Sequence, residues 1–249
     1  MARKKRERST IGYYHLILRG NGKMILFENP KDFKSFIKKM IKALREENVR
    51  LCAYCLMNNH VHMLVYDPDF HTPKMVQKLA GGYARYYNDL ERTGDPGHVF
   101  QGPYKSDPVN EEQHLTNLFR YILNNPKKAG LGPTEKYRWS SYKAFFKDNT
   151  ILYLDYFREK FPTAEAYREY IGTPNDDVFM EDVPQKEKHD DNWAMDLIRQ
   201  KLGVKSGTEL KGWDKERRDD ALRSLKDAKL TLRQISRLTG VSYGAVHRA

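Results

Sequence analysis

The sequence predicts an α+β chain: an antiparallel sheet with helices packed mainly on one face, followed by a small all-α domain. Three observations carry that prediction. Strand-length apolar runs alternate with helical stretches in the order β-α-β-β-α-(β)-α, and two of the strands share a tight turn. Residues 172–192 collect Gly, Pro and acidic residues, as a linker does. Beyond them the periodicity is helical throughout. The expected division is a basic arm at 1–10, an α+β domain at 11–171, a linker at 172–192 and a helical domain at 193–249.

Each element has its own signal. Tyr13 to Leu18 is an apolar run of strand length, ended by the turn residues Gly20-Asn21-Gly22. Asn29-Pro30 is a helix start, and Phe33, Phe36, Ile37, Met40, Ile41 and Leu44 follow at helical spacing with lysines opposite. Val49 to Leu56 and Val61 to Tyr66 are strands around an Asn58-Asn59 turn, a hairpin. Pro73 to Leu90 is helical, then Thr93 to Gly97 is a loop, and 99–109 holds a short strand. Glu111 to Asn124 is a helix with Leu115, Leu118, Phe119 and Ile122 as its apolar stripe, closed by Asn125-Pro126 because the residue before proline resists helical backbone. Pro162 to Ile171 is a last helical piece. In the tail, Trp193 to Leu202 and Lys215 to Ala228 are helical. Thr231 and Ser242 are N-caps and Gly240 ends a helix, which spells helix, glycine turn, short helix.

Composition narrows the function. The chain has 249 residues and a formal net charge of +11. That charge is uneven: residues 1–50 carry 14 basic against 5 acidic side chains, 151–200 carry 6 against 12, and 201–249 carry 12 against 6. Two basic ends favour a polyanionic partner, nucleic acid first. No run approaches the roughly 20 apolar residues of a membrane span, and the Met-Ala-Arg-Lys-Lys-Arg start lacks a secretory apolar stretch. Two cysteines exclude a disulfide scaffold and point to a reducing, cytoplasmic setting.

Two features carry chemistry. In a strand, His60 and His62 point to the same face, so both imidazoles can converge on one metal. Their neighbours Leu56, Met57, Met63, Leu64 and Val65 are apolar, so the histidines need partners. Tyr121 and Asn125 lie four apart on one helix face. A phenol is a poor nucleophile at neutral pH unless a cation polarises its target. An amide oxygen beside two imidazoles suits Mg²⁺ or Mn²⁺ better than zinc. Spacing alone leaves equal room for a core tyrosine and a capping asparagine. Cys52 and Cys55, three apart in a strand, point to opposite faces and make neither a metal nor a redox pair.

The run Tyr54-Cys55-Leu56-Met57-Asn58-Asn59-His60-Val61-His62-Met63-Leu64-Val65 resembles the signature of HUH-type single-strand DNA transposases, in particular the REP-associated tyrosine transposases. The resemblance extends through Tyr13-Tyr14-His15-Leu16, Arg19-Gly20-Asn21, His98-Val99-Phe100-Gln101-Gly102 and Tyr121-Ile122-Leu123-Asn124-Asn125-Pro126-Lys127-Lys128-Ala129-Gly130-Leu131, to Tyr142. It implies a ferredoxin-like or RRM-like sheet. The activity it implies is metal-dependent cleavage and rejoining of single-stranded, hairpin or palindromic DNA through a 5′-phosphotyrosine. By position Tyr121 is the nucleophile, and His60, His62 and Asn125 hold Mg²⁺ or Mn²⁺. Tyr83, Tyr86, Tyr87 and Tyr104 lack that placement. Arg19, Gln101, Lys105 and Arg120 are the DNA contacts expected in this part. Two departures stand out. Asn125 is shorter than the glutamine common in insertion-sequence relatives, and Pro103 follows Phe100-Gln101-Gly102 where an arginine is usual.

The tail resembles the helix-turn-helix of the replication initiator DnaA, which implies contacts to hairpin stems from Arg233, Arg237, Tyr243 and His247. The expected partner is therefore single-stranded DNA with duplex stems, in the cytoplasm at the nucleoid, with monomer and homodimer both open. A non-cleaving DNA-binding regulator on the same fold is the alternative. A small-molecule metallohydrolase fits the histidine pair but leaves the basic ends unexplained.

Overall fold

A computed structural model describes residues 6–90, 98–148, 151–174, 179, 191–228 and 230–249. The expected loop at 93–97, the first five residues of the basic arm and most of the 172–192 linker lie outside the described residues. The chain divides into two compact units, residues 1–183 and 184–249.

The first unit is built on a four-stranded antiparallel sheet in the order β2-β3-β1-β4. The strands are β1 (Tyr13–Arg19), β2 (Arg50–Met57), β3 (His60–Tyr66) and β4 (Lys105–Val109). Three long helices accompany them: α1 (Pro30–Glu46), α2 (Thr72–Asn88) and α3 (Glu112–Lys128). The start of α1 follows its sequence signal: the Asn29 side chain accepts from Lys31 N, and Asp32 accepts from the Asn29 backbone. α1 packs on α2 through Phe36 and Tyr83, with Phe27 against both rings.

Register sets the two faces of the sheet. Ile17 pairs with His62 on one side and Lys105 on the other, while Arg19 pairs with His60. Residues aligned across strands share a face, so His15, Ile17, Arg19, His60, His62 and Lys105 lie on one side. α3 covers that face and puts Tyr121 against His15 and His62. The opposite face, with Leu16, Leu18, Val61, Met63 and Val65, is buried as fully, and the α1–α2 pair is the helical layer left to cover it. The α+β class stands, refined by α3 on the second face.

Two local points position the site. At Gly20 a Cβ would lie 2.3 Å from the Met24 carbonyl oxygen, so only glycine fits where β1 ends. Gly20 N donates to Asn59 O (2.8 Å), and Leu26 N donates to Asn58 O (2.8 Å), which clamps the hairpin turn just before His60. The end of α3 corrects the sequence expectation. Asn125-Pro126 does not close this helix, which continues to Lys128. A proline so near the end forfeits the bond its N–H would give to the Ile122 carbonyl and crowds that carbonyl, but leaves the preceding turns intact. Ala129 N to Asn125 O and Leu131 N to Pro126 O, each 2.9 Å, finish the turn.

Two shorter helices, α4 (Asp155–Lys160) and α5 (Ala164–Gly172), complete this unit. Phe157 stacks on Phe119 of α3 at 4.0 Å between ring centroids, and Arg120 lies over Tyr170 of α5 at 4.7 Å.

The second unit is all helical: α6 (Asp191–Leu202), α7 (Lys215–Asp227), α8 (Leu232–Thr239) and α9 (Tyr243–Arg248). Its core includes Ala194, Ile198, Leu222, Leu225, Ile235 and Val246. Thr231 and Gln234 cap the start of α8 reciprocally, Gly240 takes the left-handed conformation at its end (φ 66°), and Ser242 caps α9.

Phe36 is fully buried between Phe27 and Tyr83. Phe36→Ala is expected to destabilise the first unit by about 3–5 kcal/mol, read as a lower urea midpoint. An unchanged midpoint would show that α1 does not anchor this core.

Candidate active site

Alternation along β3 brings His60 and His62 to one face, and the clamped turn fixes where they sit. Their ring centroids are 5.0 Å apart with planes at 86°. Each has its Nδ1 engaged: His60 with Asn59 Oδ1 at 2.7 Å, His62 with His15 Nε2 at 3.1 Å. A bond at Nδ1 orients each ring for coordination through Nε2, the arrangement in which a second hydrogen bond positions a ligating imidazole.

Electrostatics keeps these rings neutral. Burial lowers the pKa of His60 to about 4, assisted by Arg19. Burial, then His114 and Lys105, lowers that of His15 to about 3. His62 is driven well below its ordinary value by burial first, then by His15, His60, Arg19 and Lys128. Neutral imidazole is the form that binds metal.

Tyr121 sits on the α3 face that meets these histidines. Its ring is 5.8 Å from that of His62 and 6.2 Å from that of His15, nearly perpendicular to both. The same helical stripe carries His114, Asn125 and Lys128, at seven residues before, four after and seven after Tyr121. Lys128 Nζ lies 5.1 Å from the centre of the Tyr121 ring. Phe179 packs on that ring at 4.2 Å and lies 5.8 Å from His114. Asn125 is buried, and its Nδ2 donates to the Tyr121 carbonyl at 3.0 Å.

The family resemblance implies a divalent cation. Among the described residues, no group of three His, Cys, Asp or Glu gathers to hold one. The donors present fit a divalent cation as a mixed set: two neutral imidazoles on one strand face supply nitrogen, and the Asn125 amide supplies the oxygen.

The other expected site residues fall into different surroundings. Arg19 and Lys105 lie half-buried at the histidine end of the sheet, where burial and then Arg19 lower the Lys105 pKa. Gln101 is exposed, its N–H on the Arg19 carbonyl at 2.8 Å. Arg120 is 8 % exposed, over Tyr170 and bonded to Asn117, so its placement is that of a packing residue. Arg233, Tyr243 and His247 are exposed in the second unit. Arg237 is engaged there by a two-pronged pair with Asp191. The remaining α2 tyrosines have structural bonds: Tyr83 to Leu26 O, Tyr87 to Ile25 O and Tyr86 to Asp32. Cys52 and Cys55 are buried, and burial raises both thiols, which leaves them inert.

Sequence reasoning missed His15, His114, Lys128 and Phe179. His15 had a signal, a lone histidine in an apolar strand. His114 and Lys128 had one too, the Tyr121 stripe, although Lys128 is reached only if the helix passes Pro126. Phe179 had none.

The family model "Transposase IS200 like" matches residues 9–125. No curated protein matches the chain. Among solved structures, a REP-associated tyrosine transposase bound to a REP hairpin is similar at 14 % identity and a TM-score of 0.49, over 61 % of this chain and 91 % of that one. A proposed transposase from Deinococcus radiodurans R1 is similar at 21 % identity and a TM-score of 0.36, over 49 % of this chain and 97 % of that one.

The buried histidines predict a pH dependence. Unfolded histidines titrate near about 6.5, whereas the folded values of His15 and His60 lie at about 3 and about 4. Between those limits the unfolded chain binds the extra protons. Stability is therefore complete above about pH 6.5 and falls as pH drops, by at most about 1.4 kcal/mol per pH unit for each histidine. Urea midpoints measured from about pH 7 to about pH 5 should fall less steeply in His60→Asn than in the wild type. Equal slopes would contradict the buried, neutral state of His60.

Proposed function

We propose, from the match of residues 9–125 to the IS200-like transposase family model, that the chain cleaves and rejoins single-stranded DNA through a 5′-phosphotyrosine on Tyr121. The observation that carries the proposal is the seating of Tyr121 edge-on to His62, on the sheet face His60 shares.

Tyr121 Oη forms the new bond to the scissile phosphorus, the bond from phosphorus to the 3′ oxygen breaks in line, and the phenolic proton ends on the departing 3′-hydroxyl. A different 3′-hydroxyl reverses the step, so the phosphoester is exchanged rather than lost and no outside energy is required. α3 holds the phenol in place, which removes much of the orientational barrier. Lys128 beside the ring, with Arg19 and Lys105 at the same end of the sheet, would supply positive charge to a bound phosphate. His60, His62 and Asn125 would hold Mg²⁺ or Mn²⁺, whose contribution when bound is Lewis-acid polarisation of the phosphate.

The proposed domains are a transposase domain at 11–171 and a DnaA-like helix-turn-helix domain at 193–249. In the latter Arg233, Tyr243 and His247 meet hairpin stems. Arg233→Ala should weaken hairpin binding and reduce its log-log salt slope by about 1. Binding with an unchanged slope would remove Arg233 from the interface.

A second reading, a DNA-binding regulator without cleavage, is motivated by the short Asn125 side chain, by Pro103 after Phe100-Gln101-Gly102 and by the separate helical unit. End-labelled hairpin DNA on denaturing gels separates the two. Wild type with Mg²⁺ or Mn²⁺ should give a cleavage product and a protein–DNA adduct, both abolished by EDTA and by Tyr121→Phe. Tight binding with no adduct under either metal would establish the regulator.

A further inference from the structure

We propose that His15 is a positioning residue that holds His62 in the tautomer with its proton on Nδ1 and its lone pair on Nε2. The inference rests on the reading that His62 is a metal ligand, and extends it to a residue one strand away.

The geometry supplies the argument. His15 and His62 are not directly opposite each other: His15 pairs with Leu64, and Ile17 with His62. The two imidazoles are therefore diagonal neighbours on one face of adjacent strands, within reach of each other. Their planes differ by 19° and their centroids are 5.3 Å apart, the separation two hydrogen-bonded imidazoles lying side by side would have, and His15 Nε2 and His62 Nδ1 approach to 3.1 Å. That is an edge-to-edge hydrogen bond.

One of the two nitrogens in this bond must carry the proton. If His15 donates, His62 Nδ1 accepts and the His62 proton sits on Nε2, where it blocks coordination. If His62 donates, His15 Nε2 accepts, the His15 proton sits on Nδ1, and His62 Nε2 presents its lone pair. Surroundings favour neither arrangement strongly at His15, because its Nδ1 is buried with no hydrogen-bond partner among the described residues. A buried polar atom left so is costly. A ring whose far nitrogen has no bond to satisfy is a poor choice for packing alone, and phenylalanine would fill the same space. The hydrogen bond to His62 is what histidine adds at this position.

The test uses the full chain, without DNA. Selectively ¹⁵N-labelled histidine, with the His62 signals assigned through His62→Gln, reports the tautomer of each ring by NMR. In the wild type His62 should show a protonated Nδ1 and a bare Nε2. His15→Gln places an amide oxygen near the original Nε2 and should preserve that pattern. His15→Phe keeps the ring volume, removes the acceptor and should release His62 toward the Nε2-protonated form. Mn²⁺ binding followed by electron paramagnetic resonance should be within about twofold of wild type in His15→Gln and weaker by about 10–100-fold in His15→Phe.

A bare Nδ1 on His62 in the wild type overturns the proposal, whether or not either variant folds. So does Mn²⁺ binding by a folded His15→Phe that equals the wild type. Mn²⁺ that fails to bind the wild type, with the predicted tautomer present, sinks the metal-ligand reading and leaves the hydrogen bond standing.

Discussion

The antiparallel register of β1 against β3 is the constraint on which the site depends. Side chains alternate along a strand, so a slip of one residue would send His15, Ile17 and Arg19 to the other face. With the register as it stands, Arg19 faces His60, and Ile17 separates His62 from Lys105. The constraint is enforced where β1 ends, at a glycine whose N–H is bound to the hairpin turn and whose Cβ position is filled by the Met24 carbonyl. Burial of the apolar opposite face, with Leu16, Leu18, Val61 and Met63, then makes any slip costly.

A histidine-bearing face must be covered, and the cover must be chemically compatible with it. α3 does this with a mixed stripe: His114, Tyr121, Asn125 and Lys128 in place of the leucines its other positions carry. The result is a buried polar seam between sheet and helix in which imidazoles stay neutral, a cation lies beside the tyrosine and the tyrosine ring is immobilised by packing. Such a seam costs stability relative to an apolar one. Sites where sequence departs from simple core patterning are where function concentrates. Asp107 fits this pattern too: burial raises its pKa, while the nearby His114 opposes the shift.

Much of this was legible in the sequence, for physical reasons that differ by element. The strands and long helices announce themselves by period, and the hairpin by its two asparagines, because each signal is local. His60 and His62 were legible because period two alone puts them on one face. His15 showed only as a lone histidine in an apolar strand, since its role depends on a diagonal contact that only the strand register defines. The far end of the α3 stripe was hidden by Pro126, whose local penalty is real but is outweighed once the preceding turns of helix are packed. Arg120 is expected from the sequence as a DNA contact, and a tyrosine 50 residues later in the chain takes it into the fold. Phe179 belongs to a stretch with no periodic signal at all, and its contact with Tyr121 is purely tertiary.

On the proposed mechanism Tyr121, and no other tyrosine of the 16 in this chain, becomes linked to DNA. The most direct measurement is mass spectrometry of proteolytic peptides after reaction with a single-stranded hairpin and Mn²⁺. The expected product is a nucleotide-bearing peptide that begins after Arg120 and carries its phosphate on Tyr121. A phosphate mapped to Tyr83, Tyr86, Tyr87 or Tyr104, or cleaved DNA with every tyrosine unmodified, would contradict it.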